Sequence, residues 1–342
     1  MTSIINPFPE TRSLAFDRAR CRAAFRRALA LLAILITAVF SLQAQPPQQA
    51  INLNGAQHID LGDPASLMFD GFAPYTFEAW IRKAPGAGGT IVSRFGGAGG
   101  SPYHFSVSAD GRLQHYRNVA PWLLETAIGS VPDNVWTHVA VTYDGANVFL
   151  YINGVFAASS GWTSIPSNAG TNVLIGANWN SGAPNAHFTG VIDEVRIYNI
   201  ARTMGAINGE RFEENHSGDP NLIGYWRMNG NANDASGNGL NGTLSGAPGF
   251  VDGRFRYYYQ SLSPNLAPNW NTALDGSGAA ATGINLNGNE LLIPNGRTAT
   301  MTANIPTFDA VNAVIRVQNG GQLNTDLYIL NGNANFDLQS GG

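Results

Sequence analysis

From about residue 50 onward, apolar and polar residues alternate in short runs separated by Gly, Asn, Asp and Pro. A period of two, with no sustained helical period, predicts half-buried strands. Residues 75–82 are the clearest case. Tyr75, Phe77, Ala79 and Ile81 fall on one face; Thr76, Glu78, Trp80 and Arg82 fall on the other. Residues 136–143 form a second strand, which passes through Asp144-Gly145 into 147–152. Asn153-Gly154 then marks a turn into 155–158. Further strands are expected at 172–177, 190–198, 222–228 and 242–245. One short helix is expected to start near Thr203 and to end around 210–214, although Gly205 and Gly209 weigh against it. The sum is an all-β sandwich over residues 50–245.

The texture changes along the rest of the chain. Residues 246–282 read as a linker or junction. From 283 to 342 charges nearly vanish and Asn-Gly pairs recur at 287–288, 295–296, 319–320 and 331–332. Short apolar segments at 290–294, 313–317 and 327–330 sit between them. Turns at small intervals between such segments suggest the rungs of a β-solenoid. The pattern stops partway at Gly342, so the start of a truncated repeat region within a longer protein is expected.

The first 44 residues follow a different grammar. Six arginines between Arg12 and Arg27 precede an apolar run over 28–42, and Ala44 comes before a polar, Pro-containing segment. This reads as a signal peptide, 1–44, with an uncleaved anchor as the other reading. The apolar run is shorter than the roughly 20 residues that a membrane span needs. With the signal go six Arg, Glu10 and Asp17, so a net charge of −4 for the chain becomes −8 for the remainder. That balance argues against nucleic acid and against an anionic membrane surface. Cys21, the sole cysteine, leaves as well, so the exported chain is disulfide-free.

Four stretches carry a resemblance. Residues 75–80, 136–145 with 148–154, 188–199, and 222–226 with 234–243 resemble, in order and spacing, the laminin G-like branch of the concanavalin A-like lectin-glucanase superfamily, as found in bacterial secreted proteins. The resemblance implies a jelly-roll sandwich of two antiparallel sheets. It also implies binding of glycans or proteins and, frequently, a structural calcium.

Because the superfamily includes glycosidases, catalysis has to be weighed. Two carboxylates must flank the scissile bond, and no strand carries acids at alternate positions. Asp193 and Glu194 are adjacent, which in a regular strand sends them to opposite faces. Neither a G-x-S-x-G elbow nor a zinc signature is present, and the six histidines are scattered. The chain is therefore read as no enzyme.

Asp193 shares its expected strand face with Val191, Val195 and Ile197, and a carboxylate on an apolar face needs a partner. A calcium ion (Ca2+) shared with Asp60, Asp63 and Asp70 is one solution; an arginine or backbone N–H groups are the other. Trp122, Trp162 and Trp179 lie in loop-like contexts, and with Tyr103 and Tyr116 they are candidates for stacking on sugar rings. For each ring the alternative is sealing a loop onto the core. The leading expectation is a secreted or cell-surface module that binds an extracellular glycan, with calcium as a possible requirement. An adhesion protein that binds surface proteins, or the accessory region of a larger secreted enzyme, stay open.

Overall fold

The computed structural model describes residues 48–254, except 97–100, 164, 167–169, 181, 215 and 217, together with nine strands between 256 and 338. The expected signal peptide, 1–44, lies outside the described residues. Among those described, no helix is long and apolar enough to cross a membrane.

Two antiparallel sheets form the sandwich. The first contains β1 (Gln49–Asn54), β3 (Tyr75–Lys83), β8 (Thr137–Tyr143), β9 (Asn147–Ile152), β10 (Val155–Gly161), β14 (Thr189–Tyr198) and β17 (Gly249–Asp252), in the order β10-β9-β8-β3-β14-β1-β17. β15 (Leu222–Trp226) also pairs with β14, over its second half. The second sheet has the order β16-β2-β11-β4-β5-β6-β7. Its strands are β2 (His58–Asp60), β4 (Gly89–Arg94), β5 (Tyr103–Val107), β6 (Leu113–Tyr116), β7 (Leu123–Glu125), β11 (Leu174–Ile175) and β16 (Thr243–Ser245). A separate hairpin joins β12 (Asn178–Asn180) to β13 (Ala183–Asn185).

Alternation decides the core. Tyr75, Phe77, Ala79 and Ile81 of β3 meet Phe105, Val107 and Leu113 of the second sheet in one continuous apolar cluster, closed by Trp226. The two-residue turn at Asn153-Gly154 has positive φ at both positions, 53° and 78°, and joins Ile152 to its partner Val155. That combination matches the twist of an antiparallel pair. Gly154 serves a second purpose, since a Cβ there would meet the Asn208 Cα at 2.7 Å. Its bareness lets the helix α1 (Met204–Glu210) lie on the outer face of the first sheet. Thr203 caps that helix, its hydroxyl accepting from the Ala206 N–H at 3.2 Å.

The sandwich extends past residue 245. β17 pairs with β1 from Gln49↔Asp252 to Asn52↔Gly249, so residues 249–252 are an edge strand where the sequence suggested linker. The segment is too short to show a pattern of its own, and only the pairing with β1 defines it.

Beyond Arg254 the described strands are β18 (Arg256–Tyr259), β19 (Trp270–Asn271), β20 (Glu290–Ile293), β21 (Thr298–Thr300), β22 (Ile305–Phe308), β23 (Val314–Val317), β24 (Gln322–Asn324), β25 (Leu330–Gly332) and β26 (Asn335–Leu338). β18, β20, β23 and β26 pair in parallel in that order, and β21 with β24 and β22 with β25 do likewise. The expected solenoid falls on this stretch, and most of its connecting segments lie outside the described residues.

Candidate functional site

On the second sheet, Tyr103, Phe105 and Val107 of β5 and Leu113 of β6 point into the core. The pleat therefore turns His104, Ser106, Gln114 and Tyr116 outward. His104 is opposite Tyr116, and Tyr116 is opposite Leu123, so these three residues form a row across adjacent strands. Phe95, just after β4, adds a ring 5.5 Å from His104 and 5.8 Å from Tyr116. Leu123 is 45% exposed, and Trp122, the residue before it, is 53% exposed at the margin of the sheet.

Polar groups frame these rings. Gln114 Nε2 donates to Glu125 Oε2 at 3.0 Å, and Arg112 Nη1 donates to Glu125 Oε1 at 2.8 Å. The Tyr116 hydroxyl donates to Asn118 Oδ1 at 3.3 Å. Thr90 Oγ1 is 2.9 Å from His104 Nε2. Burial holds the His104 imidazole down at about 4, so it is neutral at pH 7. The loop that carries Trp122 is held from beneath. Arg117 donates to the carbonyls of Thr163 (2.7 Å), Ala120 (3.1 Å) and Pro121 (3.4 Å). Its guanidinium also lies 4.3 Å from the Trp162 ring centroid.

The five expected sugar-stacking rings divide. Tyr116 lies on this face, Trp122 is exposed in the loop before β7, and Trp179 sits half-buried on the β12–β13 hairpin. Trp162 and Tyr103 do not reach a ligand. Trp162 is 3% exposed and stacks on His115 at 5.2 Å. Tyr103 is fully buried and its hydroxyl donates to the Leu67 carbonyl at 2.9 Å. The local sequence of Trp162 looked loop-like, and Tyr103 was a further candidate, but both rings belong to the core. Phe95 and His104 were not foreseen. Phe95 precedes a glycine-rich stretch and carries no strand signal of its own.

The acids expected to share calcium are not gathered. Asp60 Oδ1 accepts from the Gly62 N–H at 2.8 Å, and both its oxygens accept from Asn172 Nδ2. Asp63 pairs with Arg94 and accepts from the Gly170 N–H. Asp70 sits in the turn before β3, where its carbonyl accepts from the Ala73 N–H. Asp193 is on the other sheet, on its outer face, 1% exposed. Its Oδ2 accepts from the Arg254 N–H at 3.3 Å, and the Arg254 guanidinium lies 4.6 Å from the Trp80 ring centroid and 5.0 Å from that of Phe212. Burial and then the Glu194 charge push the Asp193 carboxyl well up, while Arg254 opposes them. Among the described residues no three His, Cys, Asp or Glu side chains are grouped to hold a metal. This donor set does not fit a shared calcium ion.

Added Ca2+ is therefore expected to leave the thermal midpoint unchanged. Arg254→Ala is expected to cost about 2 kcal/mol, limited because Asp193 can keep its proton. A midpoint that rises on addition of Ca2+ would restore the cation.

The sheet also corrects the placement of the two adjacent acids. β14 carries a bulge between Asp193 and Arg196, with Glu194 at φ 53°. The extra residue puts Glu194 on the same outer side as Asp193. There Glu194 accepts from Arg196 Nη2 at 3.0 Å and from the Tyr225 hydroxyl. Glu78 lies beside them and accepts from Arg202 Nη1 at 2.7 Å, with His138 Nε2 at 3.3 Å from its other oxygen. Burial raises the Glu78 carboxyl, yet His138, Arg202 and Arg196 together hold it at about 2.

With two sheets, their order and the outer faces in place, the comparison with known families bears on the middle of the chain. Residues 53–208 match the concanavalin A-like lectin/glucanases superfamily. The match contains the first three stretches on which the laminin G-like resemblance rests and ends before the fourth, at 222–243. Among solved structures, a Bacteroides ovatus protein to which carbohydrate binding has been ascribed is similar at 22% identity and a TM-score of 0.48, over 60% of each chain. Domain 4 of AbnA, an extracellular arabinanase from Geobacillus stearothermophilus solved with arabinotriose, is similar at 25% identity and a TM-score of 0.36, over 47% of this chain and 75% of that one. The CBM40 of the Ruminococcus gnavus IT-sialidase, solved with α2,3 sialyllactose, is similar at 17% identity and a TM-score of 0.40, over 47% of this chain and 96% of that one. The chain thus spans 60% of the length of the Bacteroides ovatus protein. No curated protein matches it.

Proposed function

We propose that the laminin G-like domain is an extracellular carbohydrate-binding module that takes a neutral glycan on the outer face of its second sheet. The observation that carries this reading is the row His104–Tyr116–Leu123 with Phe95 beside it, next to the loop that exposes Trp122. Three strands at about 4.8 Å spacing make a platform roughly 10 Å across, commensurate with two sugar rings. Aromatic faces suit the apolar face of a pyranose, and Gln114, Glu125 and Asn118 supply hydrogen-bonding groups at the edge.

The charges favour a neutral ligand. Arg112 is engaged by Asp110 and Glu125, and Arg117 spends its donors on the loop carbonyls beneath Trp122. Binding is also favoured over hydrolysis. Among the described residues, the clustered acids Glu78, Asp193 and Glu194 are at most 2% exposed on the outer face of the opposite sheet, where a substrate cannot reach them. Export follows from the basic and apolar grammar of residues 1–44.

Trp122→Ala and Tyr116→Ala are each expected to weaken binding of a neutral oligosaccharide by ~1–3 kcal/mol, the scale of a base stacked on an aromatic ring. A glycan array followed by calorimetry on the hits measures this, with sialylated glycans expected to be poor ligands. If both variants bind as tightly as the parent, the platform is not the site. An adhesion role through protein partners is the second reading. It is favoured by the edge strand β10, where Val155 and Phe156 are exposed and no residue is charged.

A further inference from the structure

Four of the six imidazoles have clear structural partners. His115 contacts the Tyr75 hydroxyl at 2.6 Å, His138 faces Glu78, His216 contacts the Glu213 carbonyl at 2.9 Å, and His104 contacts Thr90. The remaining two, His58 and His187, come from residues 129 positions apart and face each other with ring centroids 5.5 Å apart and planes tilted by 48°. We propose that His58 and His187 form a two-imidazole site for a borderline divalent transition metal such as Zn2+. This site is independent of the glycan platform.

The geometry suits such an ion. Two imidazoles bound to one tetrahedral ion at about 2.0–2.1 Å place their ring centroids about 5 Å apart. His187 Nδ1 lies 3.3 Å from the Gln57 carbonyl, which can only accept, so Nδ1 carries the proton and Nε2 keeps its lone pair. A ring held through one nitrogen by a carbonyl, with the other nitrogen free, is the arrangement found behind metal-bound histidines. His58 is 7% exposed, and its Nδ1 has no hydrogen-bond partner. A buried polar atom without a partner calls for an explanation, and a metal coordinated by the ring provides one.

The backbone pre-positions both rings. Ile59 is in the core, so the pleat turns His58 and Asp60 to the outer face of β2. The carbonyl of His187 is pressed against Gly89, where a Cβ would come within 2.4 Å of it, so only glycine allows that approach. Asp60 adds negative potential at His58. Calcium does not suit this pair, because it prefers oxygen ligands; neutral imidazole suits Zn, Cu and Ni. Solvent water would complete the coordination.

Calorimetric titration of the full chain with Zn2+ at neutral pH tests the site. One saturable equivalent is expected, with affinity reduced at least tenfold in His187→Ala. His187 is only half-buried, so this variant is expected to keep its fold, which its circular dichroism and melting curve report. His58→Ala serves as the second variant under the same folding check. Cobalt provides a second readout, since Co2+ bound by the parent is expected to show visible absorption that His187→Ala lacks. Failure of the parent to bind Zn2+ saturably, or equal binding by folded His187→Ala, would overturn the site. Neither result bears on glycan binding by Trp122 and Tyr116.

Discussion

An Arg196→Ala variant is expected to lose about 3–5 kcal/mol of folding stability at pH 7, the cost of removing one partner from a buried charge network. Arg196 is fully buried between β14 and the helix α1. Its Nη2 donates to Glu194 at 3.0 Å, and its Nη1 donates to the Glu210 carbonyl at 3.2 Å and lies 3.9 Å from Glu78. The guanidinium also stands 5.3 Å from the Tyr225 ring centroid. Without it, Glu194 keeps, among the described residues, the Tyr225 hydroxyl and the Arg227 charge, and the end of α1 loses the Arg196 hydrogen bond to the sheet. Urea denaturation of both proteins measures the effect. The double variant Arg196→Met with Glu194→Leu is expected to recover much of the loss, because it removes both charges together. A single-variant loss below about 1 kcal/mol would mean that water reaches these groups.

Acidification is expected to unfold the domain in two stages. His104 and His138 are held at about 4 and His115 at about 3 by burial, against 6.5 for a free imidazole. His216 is pushed down in the same direction, chiefly by burial and by Arg196. Between pH 6.5 and 4 the unfolded chain therefore binds protons that the native chain refuses, and stability falls. Each tenfold change in proton affinity is worth about 1.4 kcal/mol, so each of the fully buried imidazoles His115 and His138 contributes roughly 3 kcal/mol to that fall, and His104, part-exposed on the outer face, contributes less. The second stage belongs to Glu78, whose carboxyl is depressed to about 2, so its contribution is intact above about 4.5 and disappears as pH drops through 2. Asp193 works in the reverse sense, because its raised carboxyl takes up a proton more readily in the native state. Urea unfolding at pH 7, 6, 5 and 4 reads the first stage. A flat profile across that range would contradict the burial of these rings.

Much of the first sheet was legible because its strands have one face in the core and regular alternation. Residues 75–82 and 147–152 were read almost to the residue, as β3 and β9. The turn at 153–154 was readable from Asn-Gly alone. β4 to β7 of the second sheet were not read, because Gly-rich residues 86–100 and the outward His104, Ser106, Gln114 and Tyr116 dilute the apolar signal. Trp122 was foreseen from loop context and Tyr116 as a further aromatic candidate, but the same readings drew in Trp162 and Tyr103, which only packing places in the core. The bulge at Asp193-Glu194 was invisible for a plain reason. A strict period of two cannot encode an inserted residue, so two neighbouring acids were sent to opposite faces when they share one.

β1 lies between β14 and β17, with Gln49 directly opposite Asp252. The chain therefore enters and leaves the sandwich at one spot. A fold whose ends adjoin can be spliced into a surface loop of another protein without prying that loop apart, or permuted by joining its ends and opening a hairpin elsewhere. Duplication or transfer of this unit would leave the recipient's own architecture undisturbed, which suits a domain that adds a binding face to whatever carries it.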